Sequence, residues 1–451
     1  MKRPNVLLVL TDDQGYGDLS CMGSETVRTP RIDALAAAGV RCTSWYSGSA
    51  VCSPSRASLL TGRFPGNAGV RSILAGHRTA SGMPAHVPTI ARMLGDAGYA
   101  TFLSGKWHLG ASRACWPDAH GFQRWFGFVA GCVDYFSHIF YWGMNTPGPG
   151  INPTHDLWED GREVWHDGDY LTDLITDRAV AGIRDAHRSG RPFLGYVAYN
   201  APHYPMHAPE RYRERFAHLP WDRQLMAAML AAVDDGVGRI GDELDRLGIA
   251  DDTIIVFTSD NGPSRESRNW LDGRLDPYYG GSTAGLKGWK FSLFEGGIRV
   301  PGIVRWPGAI PAGTVSDAAI GSFDVAPTVL AACGVAADHA AFDGMDVRRV
   351  LAGDAPSPDR DLLWELGGQT AIRRGRWKLV LRGQLEEAAP VDEVFLADLA
   401  SDRGERVNLA AAMPDVAGGM RARAERWREA LELRWRSEFA DGGMHVTAGR
   451  T

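Results

Sequence analysis

Cysteine is scarce in this chain: 451 residues contain six, at positions 21, 42, 52, 115, 132 and 333, and no two form a C-x-x-C pair. That spacing excludes a disulfide-framed scaffold, a zinc clip and a thioredoxin-type redox pair. A basic excess is missing too. The net charge is −6, which argues against nucleic acid or a membrane surface as partner, since both reward clustered cations. Long apolar runs are absent. The N-terminal stretch MKRPNVLLVLTDDQ sets two cations before an apolar segment, but Val6 to Leu10 is only five residues and ends at two aspartates. This is too short for the core of a signal peptide, and no later segment reaches the length of a transmembrane helix. The expectation is a cytoplasmic protein. There is no G-x-x-x-x-G-K-[ST] loop and no H-E-x-x-H helix, so a P-loop nucleotide site and a zincin are excluded. Internal repeats and low-complexity tracts are missing as well.

What remains is ordinary for a folded protein, with 44% apolar and 23% charged residues. The length suggests one large domain with a smaller one. Asn5 to Thr11, continuously apolar, predicts a fully buried strand. TPRIDALAAAGV supplies a helix with Thr29 as cap, Pro30 in the first turn and Gly39 at the stop. VPTIARMLGDAGY repeats that grammar and leads into a strand at YATFLSG. Another buried strand is expected at Pro192 to Asn200. A long helix follows over about 223–247, with apolar residues 225, 229, 233, 237, 240, 244 and 247 marking one buried face. DTIIVFTSDN closes the series. Strand and helix in alternation predict an α/β fold with a largely parallel sheet. From about residue 346 the pattern changes to short strands (DLLWEL, TAIRRGRWKLVLRG, DEVFLADL) and one final helix near 415–436. The predicted organisation is therefore a domain over 1–345 and a small C-terminal α+β domain with an antiparallel sheet over 346–451.

In open parallel sheets, ligands bind beyond the carboxyl ends of the strands. Here those ends carry Asp12-Asp13, then Lys106 and His108, then His203 behind a proline turn, then Asp260-Asn261. Singly, each is a common turn or helix start. Together they divide by chemistry. Asp12, Asp13, Asp260 and Asn261 offer oxygen alone, which suits a hard cation such as Ca²⁺ or Mg²⁺. Lys106, His108, His203 and Arg56 supply positive charge and proton donors. A metal flanked by cations describes a site for a tetrahedral oxyanion. One further stretch, SAVCSPSRASLLTGR, stands out. With Ser53 as N-cap and Pro54 in the first position, Ser55 to Leu60 should be helical, placing Cys52 at the positive end of a helix beside Arg56. The fragment alone fits equally a buried thiol before an ordinary helix.

CSPSRASLLTGR resembles the sulfatase signature C-x-P-S-R-x-x-x-L-T-G. PNVLLVLTDDQGYGDL, GYATFLSGKWHLG, NAPHYPMHAP, VFTSDNG and GLKGWKFSLFEGGIRVPGIVRWPG extend the likeness, in order, to the type I sulfatases of the alkaline phosphatase superfamily across essentially the whole chain. The resemblance implies a sheet sandwiched by helices and a sulfuric ester hydrolase. It implies that Cys52 is oxidised by a formylglycine-generating maturation enzyme to Cα-formylglycine, hydrated at rest to a geminal diol. A diol that has accepted sulfate keeps a second hydroxyl, which can lose its proton and collapse to the aldehyde, so that two easy steps replace one hard one. The family's metal role falls on Asp12, Asp13, Asp260 and Asn261 with one oxygen of the converted Cys52, around one Ca²⁺. Arg56 would hold the diol, Lys106 the sulfate oxygens, and His108 would be the base for collapse. His203 and a late lysine would bind sulfate and assist the departing alcohol. The family's lysine lies five residues before its Glu-Gly-Gly, which selects Lys290 over Lys287. A small aryl or sugar sulfate is the expected substrate, flanked by Trp116, Trp125, Tyr135 or Trp142. A formylglycine-dependent phosphonate monoester or phosphodiester hydrolase is the alternative. A non-catalytic relative would lack catalytic residues, and every position here is filled.

Overall fold

A computed structural model describes residues 3–140, 153–265, 278–338, 341–386 and 391–439. Its centre is a ten-stranded mixed sheet. The strand Asn5–Thr11 lies in the middle, parallel to Phe193–Ala198 on one side and Thr253–Ser259 on the other. Beyond Phe193–Ala198 come Ala100–Lys106 and Arg124–Phe128, both parallel, and then a short antiparallel pair, Trp158–Glu159 and Arg162–Glu163. Beyond Thr253–Ser259, Gly302–Arg305 and Val40–Cys42 run antiparallel in turn, and Thr314–Ser316 closes the edge. The five central strands point the same way, so the segments leaving Thr11, Lys106, Phe128, Ala198 and Ser259 all emerge on one side of the sheet.

Alternate residues of the first strand feed two cores. Leu7 and Val9 pack with the helices Pro30–Ala37, Leu171–Arg188 and Trp221–Arg246, whereas Val6, Leu8 and Leu10 pack with Cys52–Thr61, Ile90–Asp96 and Val325–Ala332. Both faces are covered, which is why the strand is apolar throughout. The helix Trp221–Arg246 buries more than the single stripe its periodicity predicts: residues 226–234 are all buried. It lies against both neighbouring helices as well as the sheet, and its alanines permit that close approach. The helix Cys52–Thr61 also departs from the expected start. It begins at Cys52 with Val51 as N-cap, because the Ser53 hydroxyl is engaged elsewhere, accepting the Leu74 N–H at 3.1 Å.

The C-terminal strands Leu362–Leu366, Gln369–Arg374, Trp377–Gly383 and Asp392–Asp398 form an antiparallel four-stranded sheet, followed by the helix Pro414–Glu438. This sheet shares one apolar cluster with Tyr46, Phe64, Leu293, Phe294 and Phe323 of the preceding chain. Buried charges cross the same junction. Lys378 Nζ lies 2.9 Å from Glu295 Oε1 and 3.1 Å from Glu405 Oε1. Glu295 also takes Arg299 and the Tyr46 hydroxyl, and its backbone N–H donates to Glu405 Oε2 at 2.6 Å.

Burial, reinforced by Glu295, raises the Glu405 carboxyl to about 7, while the cations around Glu295 outweigh its burial and hold it at about 2. A carboxyl whose pKa is raised on folding stabilises the fold below its unfolded value and loses that advantage as pH rises. For Glu405 the window runs from 4.5 up to about 7, where Glu295 no longer titrates. The melting temperature of Glu405→Gln is therefore expected to gain on the wild type as pH is raised through that window. A difference between the two chains that does not change with pH would contradict this account.

Candidate active site

Asp12 and Asp13 follow the central strand directly and are buried. Asp13 sits at φ 59°, in the left-handed region that reverses the chain over the strand end. Its N–H donates to Asp260 Oδ1 at 3.2 Å, and its Oδ1 accepts from Asn261 Nδ2 at 2.6 Å. The Cys52 thiol approaches Asp12 Oδ1 at 3.5 Å. Ligand atoms of Asp12, Asp13, Cys52 and His203 lie within 4.8 Å of one another. Asn261 Oδ1 is buried and has no hydrogen-bond partner among the described residues. An orphaned amide oxygen beside three carboxylates fits a hard divalent cation, since it supplies the kind of donor such an ion takes up.

Three cations answer the three carboxylates. Arg56 directs Nε and Nη2 at Asp260 Oδ2, at 3.0 and 2.7 Å, and donates Nη1 to the Lys106 carbonyl at 3.0 Å. Lys106 Nζ donates to Asp12 Oδ2, and Lys290 Nζ to Asp13 Oδ2 at 3.0 Å. All six groups are buried. Burial opposes ionisation of Asp12, but Lys106, with help from Arg56 and Lys290, holds its carboxyl well below the usual range.

Both histidines are held neutral. His108 stands at φ 53°, and its Nε2–H donates to the Leu74 carbonyl at 3.1 Å. That bond fixes the tautomer and leaves Nδ1 as a buried lone pair without a partner among the described residues. Burial, then Lys106 and Arg56, press its pKa well below the ordinary value. Gly131 backs the ring: a Cβ there would lie 2.8 Å from His108 Cε1 and Nε2. His203 donates Nδ1–H to the Tyr204 carbonyl at 2.7 Å, so its Nε2 accepts from Lys290 Nζ at 3.2 Å. Burial outweighs the pull of Asp12 and depresses its pKa as well. The Cys52 thiol is pushed up by burial despite Lys106 and Lys290, so it stays protonated and is a poor nucleophile.

Every predicted site residue therefore lies in one buried cluster: Asp12, Asp13, Cys52, Arg56, Lys106, His108, His203, Asp260, Asn261 and Lys290. Lys287 lies outside it, with Nζ over the rings of Phe294 and Phe395 at 4.2 and 3.7 Å. Three of the four aromatics expected to flank a substrate are packed in the interior. Trp116 and Trp125 are buried, edge to face with one another at 5.3 Å and wedged against Trp158. Tyr135 is fully buried, and its hydroxyl lies 2.8 Å from the Asn200 carbonyl and 2.9 Å from that of His203. It clasps the His203 loop. Trp142 lies outside the described residues. A cavity of about 10 Å³ beside Asp13, room for no more than a water molecule, is lined by Pro202, Tyr204, Met206, Met226, Ser264 and Tyr278.

A family model for sulfatases matches residues 4–335. The chain belongs to the sulfatase family. It is 32% identical to human arylsulfatase A, over 92% of this chain and 85% of that protein. It is 33% identical to mouse arylsulfatase G, over 83% of this chain and 75% of that protein. Among solved structures, Ps i-CgsB in complex with k-i-k-neocarrahexaose superposes with a TM-score of 0.83 at 30% identity, covering 94% of this chain and 93% of that one. The phosphonate monoester hydrolase of Agrobacterium radiobacter shares the fold, with a TM-score of 0.64 at 23% identity, covering 96% of each chain. This sulfatase thus hydrolyses sulfuric esters on an alkaline-phosphatase-type sheet.

The placement of the two late lysines separates their roles. Lys290→Ala removes a cation shared by Asp13 and His203, and is expected to lower kcat on the order of 10²-fold or more. Lys287→Ala should instead lower the melting temperature and leave kcat within a few-fold. Equal losses of kcat for the two variants would contradict the assignment.

Proposed function

We propose that this sulfatase cleaves small aryl or sugar sulfates with Cys52 converted to Cα-formylglycine by a maturation enzyme and with one Ca²⁺ bound. The observation that carries the reading is the placement of Cys52. It sits in the first turn of a buried helix beside Asp12, among three cations, as a thiol too high in pKa to attack anything. A hydrated aldehyde at this position would supply a hydroxyl nucleophile and keep a second hydroxyl for expelling sulfate. Asp12, Asp13, Asp260 and Asn261, with an oxygen of the converted residue, would hold Ca²⁺, which when bound withdraws charge from a sulfate oxygen and favours an ionised hydroxyl.

The chain's own residues then divide the work. Arg56, locked to Asp260, offsets the charge that develops on the nucleophile. Lys106 and Lys290 are the ammonium groups that take the sulfate oxygens. Lys290 and His203 Nε2 already share a hydrogen bond, so Lys290 can protonate Nε2, and the same Nε2–H then donates to the alcohol oxygen as the S–O bond breaks, Nδ1 staying on the Tyr204 carbonyl. On the other side, His108 Nδ1 is the free lone pair that removes the proton of the remaining hydroxyl. As C=O forms there, the C–O bond to sulfate breaks and sulfate leaves. The arylsulfatase relatives and the oligosaccharide bound in Ps i-CgsB support substrates of these two kinds.

Mass spectrometry of the peptide over residues 49–63, from protein produced with a competent maturation system, is expected to show the Cys52 thiol replaced by an aldehyde. Full activity from protein that retains the thiol would sink the proposal.

A second expectation concerns proton delivery. A nitrophenolate leaves almost unaided, whereas a sugar alkoxide needs a proton, and general acid help is worth roughly 10²–10⁴-fold. His203→Ala should therefore lose far more kcat on a sugar sulfate than on p-nitrophenyl sulfate. Both substrates make the same sulfate contacts, so uniform binding losses cancel in the ratio. Equal losses would mean that His203 only binds sulfate.

A further inference from the structure

We propose that His138, His155 and Asp167 form a second metal site, separate in its residues from the catalytic cluster and suited to a d-block divalent cation, zinc above all. Ligand atoms of the three side chains lie within 4.8 Å of one another. The site is built on the base of a short hairpin, where Ile139–Phe140 pairs antiparallel with Thr154–His155 and Ile139 stands opposite His155. His138 sits just before the first strand of this pair, at φ 56° in a turn closed by its own N–H on the Asp134 carbonyl at 3.0 Å. This puts the two imidazoles side by side, edge to face at 6.5 Å between ring centres.

Two independent features point to a ligand. The first is hydrogen-bonding capacity with nowhere to go. His155 Nε2 is buried and has no hydrogen-bond partner among the described residues, and His138 is fully buried with no more than a weak contact to the Asp169 backbone for one of its two ring nitrogens. Buried imidazole nitrogens are normally paired, because leaving them bare forfeits the hydration they had in water. A metal ion would take up the lone pairs of both rings at once.

The second feature is the support of His155. Its Nδ1 lies 3.0 Å from Glu163 Oε1, and that carboxylate also accepts from Arg78 at 2.9 Å. A carboxylate oxygen accepts, so Nδ1 is the donor in this pair and Nε2 is left as the lone pair. The imidazole is also stacked on Trp165 at 3.7 Å, nearly parallel. A ring fixed in plane and tautomer by a carboxylate behind it is the arrangement that orients metal-binding histidines. Burial also keeps His138 neutral by lowering its pKa, as a nitrogen ligand requires.

Donor type selects the metal. Two imidazole nitrogens and one carboxylate oxygen suit zinc or its first-row neighbours, whereas calcium and magnesium take oxygen. Zinc bonds of about 2.0–2.2 Å would hold the three donor atoms within roughly 3.5 Å of one another. Asp167 is exposed and free to close the remaining distance. The bound ion would pin the hairpin base to the segment that runs from the strand residue Glu163 to Asp167. The turn that carries His138 also carries Tyr135, whose hydroxyl holds the His203 loop. The ion would thus brace the scaffold behind a catalytic histidine without entering the reaction.

The test uses the full-length, calcium-loaded enzyme, titrated with Zn²⁺ against a chromophoric chelator. One zinc per chain is expected beside the calcium. Asp167→Ala, an exposed substitution that the fold should tolerate, is expected to weaken zinc at least tenfold and leave calcium content unchanged. Co²⁺ in place of zinc should give the intense visible bands of a four-coordinate site in wild type and lose them in Asp167→Ala. Failure of the wild-type enzyme to retain zinc would overturn the proposal. So would zinc that is unaffected by Asp167→Ala but lost in Asp12→Ala, since that ion would sit in the catalytic cluster.

Discussion

Three buried carboxylates at the carboxyl ends of parallel strands impose the constraint from which the site is built. Asp12, Asp13 and Asp260 stand within hydrogen-bonding reach of one another's backbone or side chains, with almost no access to water. Charges placed so would repel and would forfeit their hydration, and an unpaired buried charge costs about 3–5 kcal/mol. Each is answered by a cation from a different part of the chain. Arg56 comes from the helix Cys52–Thr61, Lys106 from the end of the strand Ala100–Lys106, and Lys290 from a loop far along the sequence. The site is therefore also a junction of the fold. Removing any one partner leaves a charge that the remaining structure cannot solvate.

The same cations set the protonation states that the chemistry needs. Lys106 and Arg56 lie close enough to His108, and Lys290 to His203, that burial and like charge together keep both rings neutral. Backbone carbonyls then choose the tautomers. Leu74 takes the Nε2 proton of His108 and Tyr204 takes the Nδ1 proton of His203. Each imidazole is left with a single lone pair, Nδ1 in one and Nε2 in the other. Two residues of the same type thus acquire different capacities from one main-chain contact each. One can only remove a proton, and the other already accepts a hydrogen bond from a lysine that can supply one.

Much of this was legible in the sequence because strands buried on both faces are unbroken apolar runs, and the polar residues that end them stand out. Asp12-Asp13, Lys106, His203 and Asp260-Asn261 follow such runs, and parallel pairing brings them to one edge. What depended on direction or on distant contacts was not legible. The aromatic density around Trp116, Trp125 and Tyr135 marks burial, but no pattern along the chain says which rings face a cavity. Ser53 has the composition of a helix cap, yet its hydroxyl serves Leu74, twenty-one positions away. His138 and His155 meet through hairpin register and carry no short-range spacing that would have announced them.

Composition divides the chain near residue 345, but the interactions at the site do not respect that division. The loop carrying Lys290 is held from both parts of the chain: the Lys290 N–H donates to the Pro263 carbonyl at 3.0 Å and the Phe291 N–H to the Ala50 carbonyl at 2.9 Å, and the C-terminal segment adds further bonds. Gln369 donates to the Phe291 carbonyl at 2.7 Å and accepts from the Leu293 N–H at 3.2 Å. Trp289 N–H reaches the Leu385 carbonyl at 2.9 Å, and the Ser292 hydroxyl that of Gln384. Just past this loop, Glu295 is locked to Lys378, which also pairs with Glu405. The position of Lys290 against Asp13 is thus determined from two sides, by the strand end it neutralises and by the sheet that anchors its backbone. A lysine on a freely moving loop would pay conformational entropy each time it met the carboxylate. Anchoring on both sides removes that cost in advance.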